Sequence, residues 1–215
     1  MSDDKHLKQA VLDELKWEPS VNAAQIGVTT KDGIVTLMGS VESYAEKHAA
    51  ETATLRVKDV KAVAEEIEVK IPFSVKHGDA EIADAAVNRL TWNVSIPKDA
   101  VKVAVSNGWV TLTGDVHWHY QHDAAAEAVR TLWGVTGVSN QIAIKPQANA
   151  ANIKSDIMVA LNRSWFSPEK IDVSAYDGKV TLTGTVDYWD ERALAGTTAW
   201  AAPGVTTVTN DIRVN

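Results

Sequence analysis

The chain contains no cysteine in its 215 residues. That excludes a disulfide framework, a thiolate zinc site and a cysteine nucleophile, while leaving the redox compartment open. Basic residues are the minority: 21 Lys and Arg stand against 28 Asp and Glu, for a net charge of −7. A general nucleic-acid binder carries a basic stripe, so no nucleic-acid partner is expected. Nowhere is there a run of about 18 apolar residues, the length a membrane-spanning helix needs. The opening Met1-Ser2-Asp3-Asp4-Lys5-His6 has no basic stretch leading into an apolar one, so no signal peptide is expected. The expected location is cytoplasmic, or periplasmic had a leader been trimmed. Gly-x-Ser-x-Gly, the P-loop and Gly-x-Gly-x-x-Gly are all missing, so the expectation is a non-enzymatic protein with no cofactor. What is present is an ordinary globular balance, 45% hydrophobic and 23% charged, which excludes a disordered polymer, a collagen or a coiled coil.

The chain repeats itself. Ile26–Val41, Val101–Val116 and Ile171–Val186 are three copies of one segment. Their glycine pairs are Gly33/Gly39, Gly108/Gly114 and Gly178/Gly184. Beyond the second glycine the copies continue in register through Val60-x-x-Val63, Val135-x-x-Val138 and Val205-x-x-Val208. A repeat of this length marks a reiterated structural unit. Three units are expected, over residues 1–72, 76–146 and 149–215, with boundaries near Pro72-Phe73-Ser74 and Pro146-Gln147-Ala148.

Each unit reads the same way. Leu7, Val11 and Leu15 recur at i, i+4 and i+8, as do Ile82, Ala86, Leu90 and Ile153, Ile157, Leu161. This spacing predicts an amphipathic helix. A period-two strand follows, then Asp32-Gly33, Asn107-Gly108 or Asp177-Gly178. Such pairs mark a type I′ hairpin turn, which requires positive φ at both central residues. The returning strand alternates as in Val180-Leu182-Gly184-Val186, which puts its glycine on the core side. The room it leaves is assigned to the backbone of a following alanine-rich helix. A last strand closes the unit. The fold class is therefore α+β: three tandem α-β-β-α-β units, each a three-stranded mixed sheet with two helices on one face. The third strand is expected beside the first and parallel to it.

The pattern resembles the BON domain (bacterial OsmY and nodulation). The residues that carry the resemblance are Val110-Thr111-Leu112-Thr113-Gly114-Asp115-Val116 and Val180-Thr181-Leu182-Thr183-Gly184-Thr185-Val186, followed by Gly134-Val135-Thr136-Gly137-Val138-Ser139-Asn140-Gln141-Ile142 and its counterpart Gly204–Ile212. The first copy departs from it at Asp59 and Glu65. The resemblance implies a non-enzymatic domain associated with phospholipid membranes, envelope maintenance and osmotic or general stress. One cytosolic potassium-binding member joins the domain to a peptidoglycan-type module that this chain lacks. The matched glycines and valines are fold residues and carry no binding role.

Three readings of function follow: a stress-related protein meeting a phospholipid surface, a cytosolic K⁺- or divalent-cation-responsive protein, and a chaperone-like module using exposed sheet edges. Oligomeric state is left open. Candidate contact residues are Trp17, Trp92 and Trp165, just past the first helices, with Lys98 and Lys102 near Trp92. These rings either enter a lipid interface or partner groove, or they cap the small cores and pack between copies. The second reading is favoured here, because buried aromatics dominate small-core energetics. The middle copy is the least acidic, with six basic and seven acidic residues over 74–147. His117, His119 and His122 are a candidate Zn²⁺ or Ni²⁺ site, with His117 and His119 expected on one strand face. Glu65-Glu66-Glu68 and Asp3-Asp4 are the densest acidic groups. Asn140 and Asn210 are expected to satisfy turn backbone groups.

Overall fold

The computed structural model describes residues 2–145, 152–166 and 168–214, with the backbone alone at Ser2 and Asp3. The Pro146-Gln147-Ala148 boundary and the Asp3 side chain lie outside the described residues. The elements run α1 (Ser2–Trp17), β1 (Ile26–Lys31), β2 (Ile34–Val41), α2 (Tyr44–Leu55), β3 (Ala62–Val69), then α3 (Asp79–Trp92), β4 (Val101–Ser106), β5 (Trp109–Val116), α4 (His119–Arg130), β6 (Gly137–Ile144), and finally α5 (Ile153–Leu161), β7 (Ile171–Tyr176), β8 (Lys179–Val186), α6 (Trp189–Trp200) and β9 (Thr207–Val214). The order α-β-β-α-β thus occurs three times, giving three three-stranded sheets. By compactness the chain divides into two bodies, residues 1–89 with 103–111 and 127–139, and residues 90–102 with 112–126 and 140–215. This division passes through the middle repeat and so does not follow the sequence repeats.

The hairpins close as Asp-Gly and Asn-Gly require. Asp32 and Gly33 have φ of 53° and 85°, and the equivalent pairs at 107–108 and 177–178 also lie at positive φ. β1 runs antiparallel to β2 with Ile26 opposite Gly39 and Lys31 opposite Ile34. β7 and β8 pair in the same way, Ile171 opposite Gly184. A carboxylate from the first helix reinforces the turn. Asp4 accepts the Asp32 N–H at 3.0 Å, and Asp79 accepts the N–H groups of Asn107 and Gly108, both at 2.8 Å. Two adjacent N–H groups at positive φ make a small anion-binding concavity, which suits a carboxylate.

The third strand corrects the expected topology. Its neighbour is the second strand, not the first: β3 runs parallel to β2 with Ile34 opposite Ala62, and β9 runs parallel to β8. The length of the crossover fixes the direction of this strand. The 12 residues of α2 cover ~18 Å, and with its connection this carries the chain once along a strand of ~26 Å. One traverse ends where the second strand began, so the next strand must run in the second strand's direction.

The second glycine also has a different neighbour from the one expected. A Cβ placed on Gly39, Gly114 or Gly184 would run into the carbonyl oxygen of Gln25, Ala100 or Lys170, the residue that precedes the first strand of its copy. The space is used by main chain entering the sheet, not by the alanine-rich helix. All three glycines have φ between 125° and 134°, a region open essentially to glycine alone.

The first-helix stripes are buried as their spacing predicts, Leu7, Val11 and Leu15 against β1, β2 and Ala50 and Ala53 of α2. Ile153, Ile157 and Leu161 pack likewise with Val173, Leu182, Ala195 and Ala199. The second helices begin with one device. Glu46, Gln121 and Glu191, each in the first turn, turn back to accept backbone N–H groups just before their own helix, including Glu42, His117 and Asp187. This is the reciprocal half of a capping box.

Candidate functional site

The cores are aliphatic. Phe166 is the one buried aromatic among the described residues, and none of the eight tryptophans is buried. Trp17 is 83% exposed, Trp92 85% and Trp165 69%. The favoured expectation that these rings cap the cores or pack between copies does not hold. The reason is angular: each helical residue advances about 100°, so a position two beyond Leu15 or Leu90 sits about 200° round from the buried stripe. Trp165 reaches the surface differently. It lies in the bend after α5, with its ring edge-on to Phe166 at 5.7 Å. Val94 and Phe73 are also fully or nearly fully exposed, and Lys98 and Lys102 are exposed.

The histidine-rich segment spans the join between β5 and α4. β5 ends at Val116, so His117 lies in the connection, and His119 is the first residue of the helix. His117 and His119 therefore do not share a strand face. His117 Nδ1 instead lies 3.4 Å from the Lys145 carbonyl oxygen. The groups that meet are His119, His122 and Asp123, whose ligand atoms all lie within 4.8 Å of one another. They occupy i, i+3 and i+4, one face of a helix. His119 Nδ1 is 2.9 Å from one carboxylate oxygen of Asp123, and His122 Nδ1 is 2.9 Å from the other. Both rings are about three-quarters buried. The His119 ring packs on Trp200 of α6, with centroids 3.8 Å apart. Burial pushes the His119 pKa below its ordinary value; Asp123 pulls it upward and His122 pushes it down again. Trp118, Tyr120, Thr197 and Trp200 line a shallow groove beside the cluster.

Sequence reasoning missed Asp123. The signal was the start of the helix. Gln121, equivalent to the Glu46 that follows Ser43 in the first copy, fixes the first turn and places 119, 122 and 123 on one side.

The position of His122 is structural in the other two copies. Lys47 donates to the Ile67 carbonyl at 2.7 Å and pairs with Glu65 at 2.8 Å. Arg192 donates to the carbonyls of Ile212 and Asn210. Opposite them, Asn140 donates to the His122 carbonyl at 2.8 Å and Asn210 to the Arg192 carbonyl at 2.9 Å. These asparagines thus bind the first turn of the second helix, where turn groups were expected. Of the acidic groups, Glu65 is committed to Lys47 and to the Ile67 N–H.

A sheet and two helices written three times, with glycines that admit main chain, define a repeated small-domain protein. The chain belongs to the BON domain family, whose model matches residues 3–71, 78–146 and 149–215. It is 29% identical over 147 residues to the osmotically-inducible protein Y of Escherichia coli K12, covering 66% of this chain and 73% of that protein. It is 30% identical over 139 residues to a 21 kDa hemolysin of Actinobacillus pleuropneumoniae, covering 63% and 71%. A solved structure of CdsD, a structural protein of the type III secretion system of Chlamydia trachomatis, aligns over 98% of this chain and 92% of that one, with 15% identity and a TM-score of 0.27, too low to bear on the fold.

Proposed function

We propose that the protein is a non-enzymatic, stress-related binding protein that attaches to phospholipid surfaces through Trp17 and Trp92, the last residues of α1 and α3, and Trp165, in the bend after α5. The observation that carries this reading is that every copy leaves one such ring in water, at 69–85% exposure. An indole favours a place that is apolar on one side and wet on the other, which describes the headgroup layer of a bilayer. Removing ~150 Å² of each ring from water is worth about 4 kcal/mol before the cost of ordering. No helix among the described residues is long and apolar enough to cross a membrane, and the attachment proposed is a peripheral one. Lys98 and Lys102 each add roughly 1 kcal/mol near an anionic surface, working against the net charge of −7. The relationship to an osmotically inducible protein supports a role under osmotic stress.

Co-sedimentation with vesicles of phosphatidylcholine alone, and with phosphatidylserine added, tests the proposal. The full chain is expected to bind at low salt and shift its tryptophan emission to the blue. Replacing Trp17, Trp92 and Trp165 together by Ala is expected to abolish both effects, and Lys98→Ala with Lys102→Ala to weaken only the phosphatidylserine-dependent part. Absence of binding by the unaltered chain to either vesicle at low salt overturns the proposal.

A further inference from the structure

We infer that His119, His122 and Asp123 form a binding site for one divalent transition-metal ion, with Zn²⁺ the best match. The site is separate from the lipid-facing tryptophans and does not depend on that reading.

Three facts carry the argument. First, the donor set is right. Two imidazoles and one carboxylate suit Zn²⁺, Ni²⁺ or Cu²⁺, whereas Mg²⁺ and Ca²⁺ favour all-oxygen shells. The three donor atoms lie within 4.8 Å of one another. Metal–nitrogen bonds of about 2.0–2.1 Å in a tetrahedral shell bring donors to ~3.3 Å, a contraction within reach of small rotations of these side chains. Both rings already turn Nδ1 toward Asp123. An ion bound through Nδ1 requires each imidazole in the tautomer with its single proton on Nε2; a proton resting on Nδ1 moves to Nε2 by exchange with solvent, and the second proton of an imidazolium is released to water.

Second, the ligands are held from behind. Trp200 packs on the His119 ring, and Asn140 holds the backbone of His122. Support of this kind orients ligands before an ion arrives. Third, the cluster belongs to the middle copy alone. The equivalent residues are Tyr44, Lys47 and His48 in the first copy and Trp189, Arg192 and Ala193 in the third. There the central residue reaches the carbonyls of the last strand, whereas His122 turns to its neighbour Asp123. Three protein ligands leave the fourth position to water or another donor, as in an open zinc site.

The test is calorimetric titration of the tag-free full chain with ZnCl₂, followed in parallel by tryptophan emission. One ion per chain is expected, with a change in emission that Trp200→Phe diminishes. His119→Ala, His122→Ala and Asp123→Asn are each expected to weaken binding at least about tenfold, with folding checked by circular dichroism. His117→Ala is expected to leave it unchanged. If one of the three site variants fails to fold, the other two decide. Failure of the unaltered chain to take up Zn²⁺, or uptake indifferent to the site variants, or uptake lost with His117, overturns the inference.

Discussion

Gly184→Ala is expected to unfold the third copy while leaving the first intact. Gly184 sits at φ +125°, and a Cβ there meets the Lys170 carbonyl oxygen, with Ile171 Cα close by at 3.2 Å. Holding a non-glycine residue in such a conformation costs about 1–3 kcal/mol. Forcing the chain entering β7 away from β8 costs about 1–3 kcal/mol more, since the displaced atoms are backbone and cannot swing aside. The total, about 2–6 kcal/mol, is comparable to the 3–5 kcal/mol that a core of this size rarely exceeds. Urea unfolding followed by hydrogen exchange and mass spectrometry reads the effect by segment. Amides of 171–186 and 207–214 are expected to lose protection, and those of 26–41 to keep it. Thr183→Ala, one residue earlier on the exposed side of the same strand, is the control and is expected to stay within about 0.5 kcal/mol. A Gly184→Ala chain with the control's stability would refute the claim that main-chain approach is what requires this glycine.

Two further outcomes follow from the same geometry. Asn210→Ala removes the donor to the Arg192 carbonyl and the acceptor for the Ile212 N–H; it should destabilise the third copy by about 1–3 kcal/mol, measured by urea unfolding, and an effect near zero would show that water replaces both bonds. His119, whose pKa is lowered chiefly by burial, should titrate below 6.5 by NMR in the metal-free chain. The unfolded state then binds more protons than the folded one, so this group's contribution to stability is complete above pH 6.5 and declines as pH falls toward the folded value; a midpoint above 6.5 would mean that Asp123 outweighs burial.

Much of the fold was legible because it rests on local rules. The stripe Leu7-Val11-Leu15, the Asp-Gly and Asn-Gly turns and the alternation around Val180 and Leu182 each follow from a period or a turn geometry spanning a few residues. The surface position of Trp17 and Trp92 was legible too, in their angle from the buried stripe, although the bulk of the side chain suggested burial. The join at 116–119 was the weak point of the metal site. Extending the strand through His119, which is the first residue of α4, put His117 into the cluster and left Asp123 out, and the Gln121 cap was the correcting signal.

The amino-acid sequence by itself determined that one α-β-β-α-β unit is written three times, where its turns fall and which faces are apolar. Only the tertiary structure decided that the last strand of each unit lies against the second, that the repeated glycine makes way for a carbonyl entering the sheet, and that Trp200 comes to rest on His119. Periodicity is a property of neighbouring residues, whereas strand order and ring contacts depend on how far a helix carries the chain before it turns back, and on segments that meet only after it has.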